Sequence, residues 1–185
     1  MMPIDIYPTY TSEAHETKIL HPSAYVSEYT GVLACQKLTW QTAQWWGLDP
    51  DLVCSVINGE SDFIYTALNA ESGCMGLGQI NPDAWLKDKG LNPFLLYNPL
   101  FNLKWTCHIL NWLTNREEYA GDEKKIIAAY TLGHGAVDRL VKEHGDKWFG
   151  MVPYNRARYI EQVIERNWDK AKGFEEWRLS TRIPR

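Results

Sequence analysis

The chain has 185 residues and a mass of 21.4 kDa, enough for one domain that buries a sizeable core without disulfide support. Hydrophobic residues at 45% and charged residues at 23% exclude a disordered chain, while nine Trp and ten Tyr point to a stacking cleft or an aromatic core. The net charge of -4 argues against a nucleic-acid enzyme, which needs a basic stripe.

Residues 1–22, rich in Pro, Thr and His and without periodicity, are expected to form an N-terminal arm. From Ser23 to Trp46 apolar residues recur at steps of three and four, through Tyr25, Tyr29, Val32 and Leu33, and Gly47 supplies a stop. Asp49 and Pro50 then make an N-cap and a first helical position, opening a helix through Ser61 with Val53, Val56, Ile57 and Glu60 on one face. Residues 62–80, with Asn69, Gly73, Gly76 and Gly78, read as a glycine-rich loop or a small β-hairpin. Asn81-Pro82 starts a short helix closed by Gly90. Asn98-Pro99 starts a longer one, apolar almost all round through Phe101, Leu103, Trp105, Ile109, Leu110, Trp112 and Leu113, as expected of a buried central helix.

Asp122 caps a helix through Ile126, Ile127, Ala129 and Tyr130, broken at Gly133-His134-Gly135, and a short helix over 136–144 follows. Pro153 introduces the last predicted helix, with Ala157, Ile160, Val163, Ile164 and Trp168 on its apolar face. The predicted fold class is mainly α, a lysozyme-like helical bundle around a central buried helix with a small loop or β element after Glu60. The expected domain spans residues 23–172. Residues 173–185 are read as a tail, and the eight Arg or Lys against five acids over 156–185 as a solvated helix face followed by a loose end.

A carboxyl group on a core-facing stripe is costly to ionise, so the pKa of Glu60 should rise unless a cation or several donors compensate. Such a group stays partly protonated near neutral pH, as an acid catalyst must. The competing reading is that Glu60 ends the helix and turns to solvent. Cys35, Cys54, Cys74 and Cys107 show no paired short spacing and read as buried thiols rather than a metal site, so no metal and no cofactor is expected. The start of the chain lacks a basic, apolar leader and no run reaches the ~18 apolar residues of a membrane span, so synthesis in the cytoplasm without insertion into a membrane is expected.

Three separated segments resemble the soluble lytic transglycosylases and their goose-type lysozyme relatives. Glu60-Ser61-Asp62-Phe63 is similar to the Glu-Ser-x-Phe that carries the family's catalytic acid; residues 72–82, with Gly76-Leu77-Gly78-Gln79-Ile80-Asn81-Pro82, resemble its Gly-Leu-Met-Gln-Ile-x-Pro loop; and Ala128-Ala129-Tyr130-Thr131-Leu132-Gly133 resembles its Ala-Ala-Tyr-Asn-Ala-Gly. Asn98-Pro99 with Asn102, and Arg158-Tyr159-Ile160, resemble the start of the family's central helix and its late Tyr-Val segment.

The resemblance implies a peptidoglycan lytic transglycosylase in which Glu60 acts alone, first as acid and then as base, producing 1,6-anhydro-muramyl ends. It also implies substrate contacts from Ser61, Gly76, Leu77, Gln79, Tyr130, Tyr154 and Tyr159. Tyr130 would bring its hydroxyl to the catalytic carboxyl, Gln79 its amide to an N-acetyl group, and Tyr154, Tyr159 and Trp85 apolar faces to sugar rings. His134 is placed either at the groove or simply in a loop. Goose-type hydrolases add an aspartate that activates water, but the positions matching by distance hold Ala70 and Asn81; Glu71 and Asp62 stay open as second carboxylates. Gly78 stands where the family usually has Met, and Thr131 where it usually has Asn, leaving a side chain fewer against a bound sugar and an amide fewer near the site. The alternatives are a goose-type muramidase and a wall-binding or virion structural protein of the same fold without activity. Partners are expected to be peptidoglycan strands, with a phage particle, phage lysis or a secretion machine as the route to the wall.

Overall fold

The structure is a computed structural model, and it describes residues 31–181. Eight α-helices lie among the described residues: α1 (Val32–Trp46), α2 (Pro50–Ser61), α3 (Pro82–Trp85), α4 (Pro99–Thr114), α5 (Glu123–Leu132), α6 (His134–His144), α7 (Tyr154–Ile164) and α8 (Phe174–Ser180). The mainly α class predicted from periodicity is the class observed, with no sheet among the described residues. The segment after Glu60 is a loop pinned by two isolated bridges, Leu68 to Met75 and Met75 to Ile80, rather than a hairpin. The predicted helical residues 23–30 and the arm lie outside the described residues.

Local chemistry sets most helix boundaries. The Asp49 carboxylate accepts from Asp51 N at 3.0 Å ahead of Pro50, and the Asn81 and Asn98 side chains likewise cap α3 and α4 ahead of Pro82 and Pro99. Gly47 ends α1 in the left-handed region, as its position predicted. Gly133 at φ 84 does separate two helices, but α6 starts at His134 rather than at Ala136.

Helix α4 is central. It packs against α1 on one side and α5 on the other, with α2 wedged between α1 and α7. Leu103, Cys107, Leu110 and Leu113 are essentially sealed, whereas Trp112 reaches the surface, so the burial all round that the sequence predicts is incomplete at its C-terminal end. None of the helices is long and apolar enough to cross a membrane among the described residues.

The expected tail is a correction. Residues 174–180 form α8, and Phe174, fully buried, meets Trp40 at 5.7 Å and Trp168 at 5.1 Å between ring centroids. The fully buried Gln36 of α1 ties this C-terminal portion down, its Nε2 donating to Asp169 O at 2.6 Å and its Oε1 accepting from Ala171 N at 2.9 Å. A seven-residue helix with one sealed aromatic leaves too short a periodic signal to be read from sequence.

Candidate active site

Glu60 occupies the last turn of α2, one residue before Ser61 and two before Asp62, which closes the helix with φ 49. Phe63 follows at φ 60, an unusual value for an aromatic residue, and is held there by burial against Trp168 at 5.8 Å between centroids. The chain thus turns sharply off α2, leaving the Glu60 carboxyl half-buried and facing α7. Tyr159 Oη donates to Glu60 Oε1 at 2.7 Å.

Three effects set the ionisation of this carboxyl. Burial dominates and raises its pKa above the ordinary value; the hydrogen bond from Tyr159 and the charge of Arg156 oppose it without cancelling it. Arg156 Nη1 also reaches the hydroxyl of Thr131 at 3.4 Å, so the Thr that replaces an expected Asn steadies a cation beside the acid. Tyr159 and Tyr130 are both held protonated, first by burial and then by the neighbouring Glu60 charge.

The glycine loop lies under this site and is fastened to α4 by one amide. Asn102, fully buried, accepts from Gly78 N at 2.7 Å and donates to Met75 O at 2.9 Å and Leu96 O at 3.0 Å. Gly76, at φ 73, sits so close to Asn102 Nδ2 and Leu96 O that a Cβ there would collide with both. Tyr130 Oη donates to Gly78 O at 2.7 Å, joining α5 to the same loop.

Several expected roles change on this geometry. The hydroxyl that meets the Glu60 carboxyl belongs to Tyr159, not Tyr130, because Tyr130 points at the loop carbonyl. Ser61 is buried and its Oγ donates to Ile57 O at 3.2 Å, the ordinary back-bonding of a helix-end hydroxyl, so it has no free donor for a sugar. Leu77 is sealed in the core and Gly76 approaches Asn102 rather than open space, so neither faces a substrate.

The Gln79 amide nitrogen, at a residue with φ 47, donates to Gly76 O at 3.0 Å and Ala67 O at 3.4 Å; both of its hydrogens serve the loop. A side chain at Gly78 would not lie on a sugar: a Cβ there would collide with Thr106 Oγ1 and come within 2.8 Å of Tyr130 Oη.

Tyr154 is exposed at the start of α7, on the same helix as Tyr159. Trp85 is half-buried and packs on Trp105 and Trp112, and exposed His134 meets the Trp112 ring edge-on at 5.1 Å between centroids. Asp62 and Glu71 are exposed, and Asn81 is occupied in capping α3.

Cys35, Cys54 and Cys107 are buried thiols, and burial lifts Cys35 to about 11 and Cys107 to about 12. Among the described residues no group of three or more His, Cys, Asp or Glu side chains could hold a metal ion. Two surface depressions of about 460 and 300 Å³, one between α1 and Trp177 and one between Tyr119 and Lys142, lie away from Glu60.

Sequence reasoning missed Arg156, the bond from Tyr130 to the loop, and the close packing of Thr106 on Gly78. Nothing in the spacing links Arg156 to Glu60, since the contact is made only when α7 docks on α2. No curated protein matches the chain. The sequence model of the transglycosylase SLT domain matches residues 38–149, a stretch that holds Glu60, the glycine loop, Asn102 and Tyr130 and stops short of Arg156 and Tyr159. With more than half of its length so matched, and a half-buried glutamate at the end of α2 above a clamped glycine loop, the chain belongs to the SLT transglycosylase family, whose lytic activity is on peptidoglycan.

Proposed function

We propose that the protein cleaves the β-1,4 bond between N-acetylmuramic acid and N-acetylglucosamine, with Glu60 as its single acid and base and a 1,6-anhydro-muramyl end as product. The observation that carries this reading is that the groups acting on Glu60 are a phenol and a guanidinium rather than a second carboxylate. Burial favours the protonated form of Glu60. The carboxyl then gives that proton to the glycosidic oxygen as the C1–O4 bond breaks and positive charge develops at C1 and the ring oxygen. Tyr159 and Arg156 steady the carboxylate so formed. That carboxylate removes the proton from the 6-hydroxyl of the same sugar, O6 bonds to C1, and Glu60 returns to its starting state with no water consumed.

Digestion of purified cell wall followed by mass analysis of the muropeptides tests the reading. Products lighter by one water, carrying anhydro ends, are expected; ordinary reducing ends would assign hydrolysis, with Asp62 or Glu71 as the first residues to examine. Glu60→Gln should lower turnover by roughly 10²–10⁴-fold, the usual loss when a general acid is removed. Equal absence of turnover in both proteins, with wall binding retained, would leave a structural role. Because Glu60 must start protonated, the rate should fall on the alkaline side with a midpoint above the ordinary glutamate value.

A further inference from the structure

Gly59 immediately precedes the acid and lies inside α2 with an ordinary right-handed helical backbone, not at a turn. Glycine is among the least favourable residues for such a position, and its conformational freedom is not used there. What occupies the missing side chain's place is the ring of Tyr159. A Cβ on residue 59 would collide with Tyr159 Cε2 and stand 3.0 Å from Cδ2 and 3.4 Å from Cζ, the carbon that bears the hydroxyl. The edge of the phenol next to its oxygen therefore rests on the backbone of α2, one residue before Glu60.

We propose that Gly59 is a positioning residue for the acid: lacking a Cβ, it lets the Tyr159 ring lie flush on α2, the approach from which the hydroxyl reaches Glu60 Oε1 at 2.7 Å. The ring has little room to yield. Its neighbour Ile160 is fully buried and Val163 nearly so, fixing α7 against the core, so a methyl group at 59 must push either the phenol or the whole helix. The hydroxyl leaves the carboxylate in both cases, since clearing the collision takes roughly 1 Å of movement and an O–H···O bond of 2.7 Å lengthened by that much lies outside hydrogen-bond range. The role assigned to Gly59 rests on Glu60 being the acid, but the contact itself can be read without any turnover.

The test is an NMR titration of the Glu60 side-chain carboxyl in the full chain as Gly59→Ala, Tyr159→Phe, the double variant and the parent. Loss of a hydrogen bond to the carboxylate raises its pKa, so Gly59→Ala and Tyr159→Phe should each shift the midpoint upward, and the double variant should match Tyr159→Phe alone. A Gly59→Ala midpoint equal to the parent's, or a shift that adds in full to that of Tyr159→Phe, would overturn the proposal.

Thermal denaturation in a Tyr159→Ala background supplies a second reading where Gly59→Ala alone folds poorly. With the ring gone, Ala at 59 should be neutral or stabilising, because it is the better helix former; an unchanged loss of melting temperature in that background would also overturn it. In an active enzyme the alkaline limb of the rate profile should move upward in Gly59→Ala. A protein without lytic activity would sink the catalytic reading of Glu60 while the titration still decided whether Gly59 seats the phenol.

Discussion

At the scale of single residues, Glu60 combines burial that raises its pKa with two partners that stabilise its anion. The same balance has a consequence for stability. A carboxyl whose folded pKa is raised binds its proton more tightly in the native than in the unfolded chain, so stability falls as pH rises from the unfolded value through the folded one and stays lower above it. Glu60→Gln should therefore melt above the parent at neutral pH, and the gap should close below the ordinary glutamate range; an equal gap at all pH values would mean that the charge is not the cause. Gly78 shows a second packing constraint. Its missing side chain leaves room for Thr106 and Tyr130, so Gly78→Ala should cost about 1–3 kcal/mol by overpacking, with part of that recovered in Gly78→Ala/Thr106→Ala, measured by denaturant unfolding.

At the scale of elements, the glycine loop is held less by its own bridges than by α4. The Asn102 amide satisfies the Gly78 N–H and the Leu96 carbonyl, and it adds a second donor to Met75 O, which also accepts from Ile80 N at 3.1 Å. Asn102→Ala should cost roughly 3 kcal/mol, since each buried group left without a partner costs about 1–3 kcal/mol. Hydrogen exchange should speed up at Gly78 and Met75 before it does in α4. Equal protection in variant and parent would show that the loop is held by its apolar contacts instead. Asn102 was legible in the sequence as the start of a central helix, but the loop it grips lies 24 residues earlier at Gly78, so its partners could not be read from spacing.

At the scale of the whole molecule, distant segments are joined at a few polar points. Arg166, just after α7, bonds Asp49 at the start of α2 and Glu123 at the start of α5, with its two terminal nitrogens on Glu123 at 2.9 Å. This lowers the pKa of Glu123, so its contribution to stability is present above the unfolded value and is lost as pH falls through the folded one. The group is partly exposed and screened, so Arg166→Ala should cost only about 1–2 kcal/mol, less at high salt and less at low pH. A salt-independent loss would point instead to the strained backbone of Arg166 at φ 55. The same region carries Trp168, whose Nε1 donates to Asp51 at 3.1 Å, and the Gln36 clamp, so the C-terminal portion supports the helix that bears the acid.

The sequence by itself determined the helices from Pro50 to Ile164, because caps, prolines and apolar periodicity act within a few residues. It also singled out Glu60, since a carboxylate in an apolar register stands out wherever the helix goes. Tertiary structure decided which tyrosine touches Glu60, why residues 59 and 78 are glycine, and that residues 174–180 belong to the core. Each of these depends on a contact between segments far apart in the chain. Two tyrosines, at 130 and 159, are chemically identical in the sequence; only the docking of α7 on α2 and of α5 on the loop gives one the carboxylate and the other a carbonyl.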